Sequence, residues 1–571
     1  MRKSASPILS TFLLFSGLST SAQTLEHTWT RRVGSQNDND KLWATAVDGQ
    51  GNVYATGVLN GTFSEQGISV TSIGLEDILL VKYDPNGTLL WARVAGGPSI
   101  DNAYGITCDA VGNVYITGFY VDFAVFGDTL IATGDPNNAI LPFHFIARYT
   151  PEGDLAWVRS AEATWVGTFG PACIGNDIEL DNDGDLVVAG LYFSPNDSDD
   201  PGLSLLRVDT ARFRTVPTVS ANSVFIQKLD TAGHTLWLHT IGGYNGFGRL
   251  KCIDIDKQNN IWTGGVDEVS SDFVSGPVQL TNSVINDGPG LVYVLSPDGQ
   301  PLSGFDVNTS LLSSIEDLEV ADNGDVILAG YYRGTLNGTN AATQDDGFVM
   351  RTSSNGTPVW TDHLAGPGDD FATCITRSGT ANELVFGGYY FFQASLEGTT
   401  LAQNAGNNSA LVRLDTLGNV IDVLQPDPLS GSTFIADVQS DGQGALYLCG
   451  DVNGEVAFTN DTILCLSQDT YLSKVEPIIS TSTGPGPVNN AFTWQLFPNP
   501  ASDHAQVILD PRQSLPTSII LRDALGREVR RTIPTSDRFI IDLLGLETGA
   551  FRVEMIFGDR RESRTLVLVK N

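Results

Sequence analysis

Basic residues are scarce in this chain. Its 571 residues hold 32 Lys and Arg against 66 Asp and Glu, a formal net charge of −34. Nucleic acid and anionic lipid both require a cationic footprint, so the balance argues against either as a partner. Charge of any sign is low, at 17% of residues, where about 25% is usual. Long apolar runs are missing. The one near the N-terminus, Ile8 to Leu18, is shorter than the roughly 20 residues that cross a bilayer. No long amphipathic helical pattern appears between residues 23 and 476. The six cysteines form no C-x-x-C pair and have no His-rich segment beside them, which argues against a structural zinc site. Catalytic signatures are absent as well: there is no H-E-x-x-H, G-x-S-x-G, P-loop or dinucleotide fingerprint. The six His are scattered and read as surface or turn residues.

What is present is glycine, at 60 residues, and a 41% hydrophobic share, enough for a large core. The N-terminus carries Arg2 and Lys3, the short apolar run, and small residues Thr20 and Ala22 before a cut at Gln23. This is the grammar of an export signal over residues 1–22. Charge is unevenly placed. Residues 493–571 hold 11 Lys/Arg and 10 Asp/Glu, so nearly all the negative charge lies before them. A Pro/Gly/Ser/Thr stretch from Pro477 marks the step and reads as a linker over 477–492. Exported cysteines can pair, and Cys449 and Cys465 could face each other across neighbouring strands. The simpler expectation is that they are mostly small buried hydrophobes.

The segment DGQGNVYATG (Asp48 to Gly57) returns as DAVGNVYITG (Asp109 to Gly118) and DNDGDLVVAG (Asp181 to Gly190), and seven copies can be traced. D-x-x-G-N is a turn, because Asp bonds the backbone and Gly and Asn tolerate positive φ. The residues after it alternate as a half-buried strand does. Each copy is followed by a second element with a hairpin turn, as in LLVKYDPNGTLLWARVAGG (Leu79 to Gly97). Four strands per repeat, seven times over, predict an all-β, seven-bladed β-propeller across residues 23–476. The segment around Trp29 matches the fourth strand around Trp91, and the last repeat stops after its third strand. The N-terminal strand is therefore expected to complete the seventh blade. The repeat resembles the bacterial propeller repeats marked by D-x-x-G-N-x-Y-x-T-G, a family tied to no single activity.

Residues 493–571 read as seven short strands, a small Ig-like β-sandwich. FPNPASD (Phe497 to Asp503), the LETGAFRVEM segment and the closing LVLVK resemble the C-terminal sorting domain of type IX secretion cargo. The residues carrying that resemblance are Phe497, Pro498, Asn499, Pro500, Gly549 and Lys570. It implies the type IX machinery as a partner, passage through the periplasm and across the outer membrane, and release or anchoring at the cell surface. No transmembrane span is expected in the mature chain.

Two groups of carboxylates invite a functional reading. Asp40, Asp101 and Asp370 each lie eight residues before a repeat turn, and would enter the innermost strands at one end of the ring. They form a partial acidic ring for a cation or polar ligand, or they cap turns. Asp181, Asp183 and Asp185 lie in a DNDGD run that resembles an oxygen-rich calcium loop, and also stand in register with the ordinary repeat turn. Calcium is thus the one cofactor to consider. The expected function is binding of an extracellular glycan or protein. The alternatives are a polysaccharide-acting enzyme with carboxylates at the channel, and a structural surface protein.

Overall fold

The structure is a computed structural model. It describes residues 23–479 apart from 36–38, 133–140, 165–171, 194–204, 209–210, 215–221, 242–247, 268–272, 276–277, 281–287, 380–382, 404–405 and 460. It describes 494–570 apart from 498–503, 510–514, 523–526, 535, 537, 547, 558–559 and 569. The signal-peptide segment and Pro498, Asn499 and Pro500 lie outside the described residues. So does most of the linker. The chain divides into two compact units, Met1–Ser480 and Thr481–Asn571.

Among the described residues the first unit holds antiparallel sheets of four to six strands, each with a core of four neighbouring strands forming a blade, and three two-stranded hairpins. Blade 1 comprises Lys41–Val47, Val53–Leu59, Asp77–Tyr83 and Leu89–Ala95, from first strand to fourth. Blade 7 comprises Ser432–Ser440, Leu446–Ala457, Thr462–Ile479 and, as its fourth strand, Gln23–Arg32. The N-terminal strand pairs antiparallel with the third strand from Gln23 opposite Ile479 to Arg32 opposite Tyr471. The third strand runs through Ile479, so the linker begins later than Pro477. Ile478 and Ile479 stay in the ladder because Thr24 and Gln23 stand opposite them.

The repeat turns hold by the chemistry their sequence announces. Asp48 Oδ1 accepts the N–H groups of Gln50 and Asn52 at 2.9 Å each, and Gly51 adopts φ +77°. Tyr54 Oη donates to Gly112 O in the next blade's turn at 3.0 Å. At the periphery, each fourth-strand tryptophan reaches the following blade. Trp29 Nε1 donates to Pro85 O, Trp91 Nε1 to Pro151 O and Trp237 Nε1 to Pro297 O, all at 3.0 Å. The indoles lie on hairpin glycines: a Cβ on Gly87 would come within 2.8 Å of Trp29. These tryptophans pack blade on blade.

One feature has no counterpart in the four-strand reading of the repeat. The connection between second and third strands carries its own β-hairpin, as at Thr62–Glu65 with Ile68–Thr71 and Phe123–Phe126 with Thr129–Ala132. In an up-and-down sheet these connections share one end of the ring with the chain passing from blade to blade; the D-x-x-G-N turns occupy the other. The hairpins latch neighbouring blades by backbone pairing. Gly96 of blade 1 exchanges hydrogen bonds of 3.2 and 2.8 Å with Val125 of blade 2. Leu364 of blade 5 pairs with Leu396 of blade 6, and Ala161 of blade 2 with Val208 of blade 3.

The second unit is a sandwich of a three-stranded and a four-stranded sheet around a core that includes Val507, Leu521, Val553 and Leu566. Its seven strands run from Trp494–Phe497 to Arg560–Leu568. Gly549 starts the sixth strand, and Lys570 donates its backbone N–H to Thr548 Oγ1 at 3.3 Å.

All six cysteines are free. Cys449 stands opposite Leu472 and Cys465 opposite Gly454, so the two do not meet across the strands. His27 and His144 are core residues, 1% and 0% exposed, and not surface ones. Each ring bonds one hydroxyl at 2.7 Å, of Ser473 and Thr117 respectively.

Candidate functional site

Asp40, Asp101 and Asp370 stand at the starts of first strands, and all three are 0% exposed. Their common role is a staple. Asp40 accepts from Ser35 N at 2.6 Å on the incoming chain and from Asn60 N at 2.7 Å after the second strand. Asp101 repeats the pattern with Gly97 N at 2.6 Å and Val121 N at 2.9 Å. Asp370 accepts from Phe391 N at 3.2 Å. Burial pushes Asp101 up to about 7 and Asp370 up to about 8, against the pull of these N–H donors. They fix the bases of the hairpins.

The DNDGD turn is also spoken for. Lys228 Nζ lies 2.6 Å from Asp181 and 3.4 Å from Asp185. Asp183 Oδ2 accepts from Asn259 Nδ2 at 2.8 Å. Lys228 occupies the third-strand register that Lys82 occupies in blade 1, where Lys82 lies 3.8 Å from Asp48. An ammonium group therefore sits where a calcium ion would need those two carboxylates. Among the described residues no group of three or more His, Cys, Asp or Glu is arranged to hold a metal.

The carboxylates that do face one another belong to the first strands. Each of these strands carries a β-bulge at the same level, for example between Ile315 and Asp317, and between Ile435 and Asp437. A bulge re-aims the residues beside it. Just past it stand Asp177 in blade 3, Asp317 in blade 5 and Asp437 in blade 7. Each uses one oxygen on its own strand and the other on the next blade: Asp177 on Ile253 N at 2.8 Å, Asp317 on Ile375 N at 2.7 Å, Asp437 on Thr45 N at 2.7 Å. The last of these joins blade 7 to blade 1. Room for the girdle comes from small residues in between; a Cβ on Gly105 would meet Asp177 Cα at 2.8 Å.

After burial, the charge of Asp437 adds to the rise of Asp177, and the charges of Asp437 and Asp177 add to that of Asp317. Two residues further along lie Glu179, Asp254 and Glu319, with Arg377 of blade 6 ion-paired to Glu319. Burial first, and the charges of its fellows second, drive Glu179 up to about 8. Burial drives Asp177 up to about 7 and Asp254 and Asp317 well above the carboxylate range. With both oxygens engaged by backbone N–H groups, Asp177, Asp317 and Asp437 are structural clamps rather than a free acid and base.

The chemistry available to a ligand collects nearer the hairpin end. The bulge residues themselves include Trp43, Tyr104, Lys251 and Glu316. Trp43 meets Tyr104 edge-on with centroids 5.6 Å apart. Phe371 stacks on Tyr389 at 4.8 Å, and Tyr389 meets Phe434 at 4.9 Å. Lys41 lies 5.0 Å above Trp43, and Lys251 bridges to Glu316 at 2.5 Å. These rings are half-buried. Around them the hairpin end exposes Ile73, Leu75, Ile100, Leu311, Leu429 and, at 59%, Phe392. Phe392 has φ +64°, a left-handed conformation that costs a bulky side chain about 1–3 kcal/mol.

No family model matches the chain. An uncharacterized WD repeat-containing protein of Acanthamoeba polyphaga mimivirus is 25% identical over 385 residues, which covers 62% of this chain and 24% of that protein. The chain thus spans about a quarter of that relative's length. Three solved structures align at low scores. PorZ, a surface component of the type-IX secretion system of Porphyromonas gingivalis, is 11% identical with a TM-score of 0.27, covering 95% of this chain and 100% of that one. A puromycin hydrolase is 10% identical with a TM-score of 0.39, covering 86% and 64%. A polysaccharide lyase acting on ulvan is 11% identical with a TM-score of 0.36, covering 74% and 93%. By its own sheets and repeats, the chain is an all-β propeller protein with a small β-sandwich following it.

Proposed function

We propose that this is a secreted or cell-surface binding protein. Its propeller presents the hairpin end to an extracellular glycan or protein, and its C-terminal sandwich directs export by the type IX route. The observation that carries the binding reading is the asymmetry of the two ends. One end consists of D-x-x-G-N turns closed by their own hydrogen bonds. The other gathers, among the described residues, inter-strand hairpins and half-buried aromatic rings. Aromatic rings offer large, rigid contact area and dominate binding surfaces.

Phe392→Gly tests the face. Glycine tolerates positive φ, so the variant is expected to melt no lower than the parent. Its binding to extracellular polysaccharide and surface protein on an array is expected to fall about tenfold. Leu417→Asp, on a turn of the opposite end, should leave binding unchanged. Equal binding by parent and Phe392→Gly would count against the face. Export is tested separately by deleting Phe497 to Asn571. The propeller should then fold and stay in the periplasm; surface delivery of that truncation would remove the sorting role.

A further inference from the structure

Among the described residues the backbone latch between blades is not made where the ring closes. Gly34 and Ser64 hold the positions at the blade 7–blade 1 junction that Gly96 and Val125 hold at the next one. Between the strand ending at Arg32 and the hairpin Thr62–Glu65 lies a cleft of about 750 Å³ instead. Its size falls within the range of small-molecule sites, about 300–1,000 Å³.

The walls are polar and fixed in advance. Arg31 and Arg32 stand on one side, Ser64, Glu65 and Gln66 on the other, and Asp461 at the rim. Arg31 is held by Gly87 O and Thr30 O, both at 2.9 Å, and lies 3.7 Å from Glu65. Arg32 is held by Asp469 and Ser35 O. Each guanidinium already has a carboxylate of its own, Arg31 near Glu65 and Arg32 on Asp469, so neither is open to an anionic ligand. A polyanion would be repelled by the surrounding acidic unit, and a polycation would find Glu65 already facing Arg31 and only Asp461 besides.

Gln66, at the hairpin turn beside the cleft, has φ +52°, as Asn337 and Glu397 have φ +51° and +46° at the same turn of blades 5 and 6. Asparagine suits that conformation and glutamine does not. The strained residue lines the cleft, and its side-chain amide reaches Gly87 O at 3.4 Å.

We propose that the seam cleft binds a neutral oligosaccharide, its vicinal hydroxyls paired with these planar amide, carboxylate and guanidinium groups. This rests on the reading of the hairpin end as a face for extracellular ligands. The test is calorimetric titration of residues 23–571 with cellotetraose, maltotetraose and mannotetraose. At least one should bind. Ser64→Trp fills the cleft from an exposed strand position that favours aromatic residues. It should weaken that binding at least about tenfold. Gln66→Asn should weaken it several-fold while leaving the melting temperature equal or higher. No heat with any of the three sugars overturns the proposal, as does binding indifferent to Ser64→Trp. Sugar binding that survives Ser64→Trp and falls in Phe392→Gly would leave the binding face standing and remove the cleft. Binding of only a basic peptide or only polygalacturonate would do the same.

Discussion

A chain that begins at Gly34 is expected to lose the cooperative thermal transition of the propeller. The strand it lacks, Gln23–Arg32, is the fourth of blade 7. Leu25 and Trp29 on it are 5% and 6% exposed, and His27 is 1% exposed. Burying each large side chain contributes about 1.5–3 kcal/mol, and each hydrogen bond about 1 kcal/mol net. The ladder of paired residues, the His27 and Thr30 bonds to Ser473 and the Trp29 contact with Pro85 together reach the order of 10 kcal/mol. Domains have about 5–15 kcal/mol in total. The deletion also opens Thr462–Ile479 as a long unpaired edge, which invites aggregation. Calorimetry should show a broad or absent transition. A peptide of residues 23–33 added in excess should restore it in a concentration-dependent way. A truncated chain that melts within a few degrees of the parent would show that the ring does not depend on this strand.

The second large effect is in pH. The protein is expected to be more stable at pH 5.5 than at pH 8.5, by at least about 5 °C in melting temperature. Asp177 and Asp101 rise to about 7, and Glu179 and Asp370 to about 8. Unfolded carboxyls titrate near 4. Between about pH 4 and 8 the native state therefore binds protons that the unfolded state has released, and stability falls as pH rises through that window. His27 and His144 act oppositely. Burial lowers both to about 3, so they cost stability as pH falls below about 6.5. The carboxyls outnumber them. Glu179→Gln should flatten the profile, because an amide carries no charge to bury. Equal or greater stability at pH 8.5 would refute the account.

Much of the fold is legible in the sequence because its turns are chemical. Asp48 and Gly51 declare a turn by residue type, and the structure closes that turn as the residue types require. Trp29 could be matched with Trp91 because both serve one contact, an indole on a hairpin glycine of the next blade. The hairpins between second and third strands were not legible. Their sequences share no motif; TFSEQGISV and FAVFGDTLIA have in common only a turn and alternation. The candidate site was half legible. Asp40 and Asp101 stand out by spacing, but spacing cannot separate a carboxylate facing an opening from one facing backbone N–H groups. The girdle left a readable trace: DIELD, DLEVA and DVQSD each place an Asp four residues before a repeat turn. Only the bulge decides that each of these residues reaches the backbone of the next blade. The seam cleft has no sequence signature, since it arises from a pairing not made.

The closing strand has one more consequence. His27 and Ser473 are 446 residues apart, yet share a hydrogen bond. The ring cannot be completed until nearly its last residues have been made, and the first strand synthesised waits longest for its place. Contacts of such separation form slowly, because the loop entropy is lost before the contact returns anything. The propeller's own topology is a clock that delays the native state until the whole repeat array exists.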